Sequence, residues 1–223
     1  MSAARVSVRA VESWLVRRVE TGSLPRRYYA ESPILVQGDI GTILFLVTQG
    51  LVRLCSVLPS GREVVLGLLG PGELFGEAAP LGEPSPFEAR PVSWATVLPI
   101  DARALDAVMT RRPDTASEVV RLLARRLRRT SAALEDALAF DVGGRVSRRL
   151  HDLALRHGVD GPSGVRLSVS VTQEDLGRMV GASRETVNRS LATLSRRGLV
   201  RREGRRVEIP DLDALARAAD AGA

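Results

Sequence analysis

Two spacings of apolar residues divide the chain. From Ile34 to Leu98 they come in short runs rich in Val, Ile, Leu and Thr: Ile34–Gln37, Thr42–Val47, Leu51–Leu58, Glu63–Leu69 and Val92–Leu98. Turn signals bound the runs at Gly38-Asp39, Gln49-Gly50, Pro59-Ser60-Gly61 and Gly70-Pro71-Gly72. Runs of this kind between glycine and proline predict strands, and strands at such regular spacing predict a sandwich or barrel. A short amphipathic helix around Val11–Val19 is expected before them. A small helix over Asp101–Thr110, with Asp101 as N-cap, closes the unit.

Beyond Pro113 the period becomes helical and runs to Ala139. Pro113 suits the first helical position, where its missing N–H costs nothing, and Asp114 and Glu118 complement the positive end of the dipole. Val120, Leu123, Leu127, Thr130, Leu134 and Ala137 recur at alternating steps of three and four, a heptad seam. Arg121, Arg125, Arg126, Arg128 and Arg129 flank it. Such a stripe predicts contact between two copies in a parallel homodimer. The alternative is an amphipathic helix packed on its own chain.

Residues 172–198 carry two short helices. Thr172 caps the first, with Asp175 in its first turn and Leu176, Met179 and Val180 on its apolar face. Gly181 ends it, and Ser183 caps a second helix whose Val187, Leu191 and Leu194 point inward. Two short helices across a glycine turn make a helix-turn-helix. The opposite face of the second helix presents Arg184, Glu185, Asn188 and Arg189. Arginine pairs with guanine O6 and N7, and glutamate accepts from the cytosine amino group, so this face has base-reading chemistry; a merely solvated face would also be charged. Leu199–Glu203 and Arg205–Ile209, joined at Gly204, predict a two-stranded wing whose Arg201, Arg202, Arg205 and Arg206 suit phosphates.

Charge sharpens this reading. The 223 residues carry a net +6, and every one of the 32 Lys+Arg positions is arginine. Lysine chemistry, from Schiff bases to the P-loop, is therefore excluded. Up to Thr110, 10 arginines face 11 acidic residues; beyond it, 22 face 15. The cationic excess lies wholly in the C-terminal half, as expected when one domain senses and another binds a polyanion. The longest apolar runs, such as Ile43–Val47, fall far short of the roughly 20 residues that span a bilayer, and the N-terminus has no signal-type run. A cytoplasmic protein without membrane contact is expected. The single Cys55 excludes an intrachain disulfide and a cysteine-ligated iron–sulfur cluster, and reads as a small buried strand residue. No G-x-x-x-x-G-K, H-E-x-x-H or G-x-S-x-G occurs, and the β-rich half has no histidine, so neither an enzyme nor a metal site is expected. His151 and His157 lie beyond the long helix and read as exposed polar residues, which argues against haem sensing.

The segment Gly181-Ala-Ser-Arg-Glu-Thr-Val-Asn-Arg189 resembles the recognition-helix signature of the cyclic-AMP receptor protein/fumarate–nitrate regulator (CRP/FNR) family of bacterial transcription factors. The resemblance runs from about Glu12 to Pro210. It extends to Gly38-Asp39, Leu46–Gly50, Gly61–Glu63 and Pro71–Glu77 in the β-rich half, and to the hinge Phe140–Arg145. It implies an α+β fold with an N-terminal cyclic-nucleotide-binding-like β-roll (jelly roll) over 1–110, a dimerisation helix over 111–140 and a C-terminal winged helix-turn-helix over 141–223. It implies a homodimer on near-palindromic double-stranded DNA, with Arg184, Glu185 and Arg189 reading bases and Gln173, Ser183, Thr186 and Arg205 on the phosphate backbone; Thr172 and Asn188 complete the DNA-binding set. The exposed loop Arg156–Val165 is similar in position to the family's RNA-polymerase contact.

The resemblance also places an effector pocket at Gly76, Glu77, Ala78, Glu88, Ala89, Arg90, Thr130 and Ser131. Members that bind cyclic AMP clamp its phosphate with Arg-Ser-Ala. Here the matching residues are Phe87-Glu88-Ala89, a ring without donors and a carboxylate that repels phosphate. Arg90 is displaced by three positions, whereas Thr130-Ser131 matches the pair that contacts adenine across the dimer. The resemblance therefore implies a regulator gated by a nucleotide-like effector other than cyclic AMP, or by none. The alternative is a cyclic-AMP-responsive activator with a rearranged phosphate loop, in which Arg90 replaces the missing arginine.

Overall fold

The apolar runs assemble as an antiparallel sheet. The computed structural model describes residues 23–30, 32–168, 171–203 and 206–220; the helix expected over Val11–Val19, and Gly204 and Arg205 of the wing, lie outside them. The strands are β1 (Arg26–Tyr29), β2 (Ile43–Val57), β3 (Glu63–Leu69), β4 (Leu74–Phe75) and β5 (Glu88–Asp101), in the order β1-β5-β2-β3 with β4 on β2. Along the first part of β2 both faces are buried. Phe45 and Val47 join Val52, Leu54, Leu69, Phe75 and Phe87 in one core. Leu44 and Leu46 join Leu98, Ile100, Leu105 and Val119 in another.

Two expectations change here. Gln49-Gly50 is not a turn: β2 runs straight through it, and its register against β5 shifts on both sides of Gly50. Gly50 has φ +75°, and a Cβ there would meet the Trp94 carbonyl oxygen at 2.3 Å. The glycine thus serves a bulge against a neighbouring strand. Ile34–Gln37 is no strand either; only Leu35 forms an isolated bridge, to Ala89. Pro33 removes a ladder donor on one side and Gly38, at φ +89°, turns the chain on the other.

Asp101 caps α1 (Ala102–Arg111), its carboxylate accepting from the backbone of Arg103 and Ala104. The long helix α2 (Pro113–Ala139) begins at Pro113 as expected and buries only Thr115 and Val119. Its seam is left open by the described residues: Val120, Leu123, Leu127 and Leu134 are 40–68% exposed, and Thr130 and Ala137 are exposed too. The chain divides into two compact units, Met1–Arg128 and Arg129–Ala223.

The second unit contains α3 (Val142–His157), the hairpin β6 (Gly158–Gly161) and β7 (Gly164–Leu167), α4 (Gln173–Val180), α5 (Arg184–Arg196), β8 (Arg201–Glu203), β9 (Arg206–Ile209) and α6 (Leu212–Asp220). The segment Arg156–Val165, expected as an exposed loop, is the end of α3 and most of that hairpin. It is held because β7 pairs with β9, giving a sheet β6-β7-β9-β8, and because the Ser163 backbone donates to Glu208 Oε1 at 2.8 Å. Only Phe140 and Asp141 of the expected hinge stand between helices, since Asp141 caps α3 by accepting from the Gly144 N–H at 2.7 Å.

Candidate nucleic-acid interface

Local chemistry sets both helices of the helix-turn-helix. Thr172 and Asp175 form a reciprocal capping box: the Asp175 N–H donates to Thr172 Oγ1 at 3.0 Å, and the Thr172 N–H to Asp175 Oδ2 at 3.1 Å. Gly181, at φ +68°, adopts the left-handed C-cap that a side chain would disfavour, and turns the chain into Ser183. Ser183 Oγ then accepts from the Thr186 N–H at 3.2 Å and starts α5. Val187, Leu191 and Leu194 are buried, and α5 packs on α3 and α4.

That burial orients the other face. Arg184, Glu185, Asn188 and Arg189 are all exposed, in the first turns of α5. Gln173 Nε2 donates to Asn188 Oδ1 at 3.1 Å, tying the start of α4 to the face of α5. Arg189 Nη2 donates to Thr186 Oγ1 at 3.3 Å, which holds the guanidinium alongside its own helix. A further feature was not foreseen in the sequence. A cleft of about 550 Å³ runs between the start of α3, at Asp141 and Gly143, and the flank of α5, at Thr186, Arg189, Thr193 and Arg197. The spacing of Arg189, Thr193 and Arg197, four residues each, is the signal that puts them on one face. On the wing, Arg201 and Arg206 are exposed and Arg202 is half-buried.

The platform behind this face has its own electrostatics. Asp152 accepts from Arg156 through both Nε and Nη2, the latter at 2.8 Å. Burial is the largest influence and works against its ionisation, yet Arg156, together with Arg149 and Arg129, holds the carboxyl below the usual range. Burial, with the nearby charge of Arg156, pushes the His157 imidazole down to about 3. The expectation of exposed histidines is thus corrected: His151 and His157, both on α3, are half-buried. Cys55, read as a buried strand residue, is one; burial pushes its thiol up to about 12.

In the first unit, Gly76 and Ala78 are buried and Glu77 is half-buried. Phe87 is 2% exposed, within the core. Ala89 is buried beside it. Arg90 is engaged by Glu88, through Nε and through Nη2 to Oε2 at 3.1 Å. This set does not fit a cyclic phosphate: the clamp position is an interior ring, and the displaced arginine already holds a carboxylate. The sequence reading also placed Arg126 only among the cations flanking the seam. Its Nη1 lies 2.9 Å from Glu77 Oε2 and its Cζ 5.2 Å from the centre of the Phe87 ring. Thr130 and Ser131 are exposed on α2.

Comparison with known proteins agrees with this geometry. Residues 25–112 match the cyclic nucleotide-binding domain model, and residues 144–218 match the Crp-like helix-turn-helix domain model. The chain is 36% identical over 207 residues, covering 92% of it and 90% of the relative, to a CRP-like cAMP-activated global transcriptional regulator of Mycobacterium tuberculosis. It is 41% identical over 180 residues, 79% of each protein, to the cyclic AMP receptor protein of Thermus thermophilus. Its fold is similar to the crystal structure of a CRP-family transcriptional regulator, also from Thermus thermophilus, with a TM-score of 0.74 and 31% identity over 87% of this chain and 96% of that one.

Proposed function

The chain belongs to the CRP/FNR family of transcription regulators, and from that premise we propose that it acts in the cytoplasm as a homodimer whose two α5 helices enter successive major grooves of a near-palindromic DNA site. The observation that carries this reading is the face of α5: Arg184, Glu185 and Arg189 exposed at its start, on a helix anchored by the buried Val187, Leu191 and Leu194. In this reading those three side chains read bases, with Asn188 beside them. Thr172, Gln173, Ser183, Thr186 and the wing, Arg205 included, position the phosphates. The open seam of α2 supplies the dimer contact, since a stripe of Val120, Leu123, Leu127 and Leu134 left in water would otherwise lose the burial that favours such side chains. The β6–β7 hairpin is the surface offered to RNA polymerase.

The domains take separate tasks: the roll, 1–110, reports a state; the helix over 111–140 pairs the copies; and residues 141–223 bind DNA. The state reported is not the presence of cyclic AMP, because Phe87 and Glu88 replace the clamp. The opposing reading, a cyclic-AMP-responsive activator, draws on the names of the relatives and on Thr130 and Ser131. It requires Arg90 to leave Glu88.

Enrichment of a binding site from random duplexes, followed by anisotropy titration of that site against random DNA, tests the function. The expected result is a preference of about 10³-fold or more that persists as salt is raised. Equal affinity for both duplexes would show an interaction module with only sequence-independent DNA affinity.

A further inference from the structure

The second unit contains another cavity, of about 260 Å³, between the last turns of α2, the middle of α3 and Ala216 of α6. On α2 it is lined by Arg129, Ala132, Ala133 and Asp136, whose steps of three, one and three place them on one helix face. All four are half-buried, whereas Thr130, Leu134 and Ala137 of the seam are exposed. The cavity therefore lies on the side of α2 turned away from the seam. Arg149, on α3, sets its chemistry. That side chain is only 17% exposed, and its ion pair with Asp152 spans 3.9 Å, beyond hydrogen-bond length. Asp152 is committed elsewhere, both its oxygens accepting from Arg156, and Asp136 accepts from Arg148. Burial draws the pKa of Arg149 below the ordinary arginine value, with Asp152 countering the fall. A guanidinium nevertheless stays charged at physiological pH, and a buried charge without a close partner is costly. An oxyanion in the cavity would complete it.

The guanidinium fork matches phosphate in a bidentate manner, and phosphate offers it three acceptor oxygens where a carboxylate offers two. The side chains of Ala132, Ala133 and Ala216 give the rest of the lining an apolar floor. At roughly 30 Å³ per water-sized group the cavity holds about eight or nine such groups. The five heavy atoms of a phosphate therefore leave room for a short carbon chain. We propose that this cavity binds a small organic phosphate, with the phosphate on Arg149 and the carbon chain against Ala132, Ala133 and Ala216. No described residue of the roll, of α4, of α5 or of the wing lines it, so the site is separate from both the roll and the recognition face. Its lining comes from α2, α3 and α6, so a bound phosphate ties the end of the long helix to α3 and stabilises the second unit by mass action.

The test uses the full chain without DNA, with glycerol 3-phosphate as the probe. It is expected to raise the thermal midpoint and to give saturable heat in a calorimetric titration, with inorganic phosphate binding more weakly and glycerol not at all. Arg149→Gln, which removes the fork, and Ala133→Leu, which fills the cavity, should each weaken binding about tenfold or more. Arg103→Gln, which removes an exposed cation on α1, should leave it unchanged. Ala133→Leu keeps every charge in place, so it decides the matter if Arg149→Gln does not fold. Absence of saturable binding, or wild-type affinity in Ala133→Leu and in folded Arg149→Gln, overturns the inference. Succinate binding as tightly as glycerol 3-phosphate overturns the assignment to phosphate, and inorganic phosphate doing so overturns the role of the apolar floor. If glycerol 3-phosphate does not bind while Arg149→Gln weakens binding to every duplex equally, the cavity seats DNA backbone and the inference falls.

Discussion

Arginine is used in opposite ways in the two units. In the first unit, Arg53, Arg90 and Arg126 each lie beside a glutamate, Glu63, Glu88 and Glu77 respectively. On the face of α5 and the wing, Arg184, Arg189, Arg197 and Arg201 are exposed and form no ion pair with any described residue. The side chains are identical, so the difference lies in what already holds the guanidinium fork. An arginine engaged by a carboxylate has committed donors and a neutralised field, whereas one standing alone offers both to phosphate or guanine. Net charge therefore gives only the excess of cations over anions, whereas pairing decides which cations can bind.

The contrast is lost most completely by removing the platform under the open arginines. Leu191 is 1% exposed at the heart of the helix-turn-helix. Leu191→Ala should destabilise the second unit by about 2–5 kcal/mol in urea unfolding, and DNA binding should fall with it. A sharper comparison sets one open arginine against one held arginine. Arg189→Ala should cost about 1–3 kcal/mol on the enriched duplex and relax base preference at its contact, whereas Arg90→Ala, which removes a cation already matched by Glu88, should leave DNA affinity unchanged in the same titration.

The smallest effect concerns pH. His157 has its folded value depressed from 6.5 to about 3 by burial and by Arg156. Above pH 6.5 the residue is neutral whether folded or unfolded. As pH falls from 6.5 toward about 3, the unfolded chain takes up a proton that the folded chain refuses, so stability declines through that window. His157→Gln should flatten this part of a stability–pH curve. A wild-type curve with no slope assignable to His157 would mean that the imidazole is not held neutral.

Much of the second unit was legible in the sequence because its signals are local. The capping box at Thr172 and Asp175, the glycine turn at Gly181 and the inward step of Val187, Leu191 and Leu194 all act within three or four residues, the reach of one helical turn. The start of α2 at Pro113 and its seam were legible for the same reason. The departures have non-local causes. Gly50 resembles a turn glycine until β5 is brought alongside, and the β6–β7 hairpin resembles a loop until β9 gives it a partner. Arg126 resembles one of five flanking cations until it is set against a residue 49 positions away.

By itself the sequence determined that a helix-turn-helix exists whose second helix presents Arg184, Glu185 and Arg189, that α2 carries an apolar seam, and that phenylalanine stands at position 87. These follow from residue identity and short-range periodicity. Only the tertiary structure decided which arginines are open and which are held, that His157 is neutral, and that Arg126 is seated on Phe87 and Glu77. Those facts depend on distances between residues remote in the chain, and such distances exist only once sheet register and helix packing have placed the side chains together.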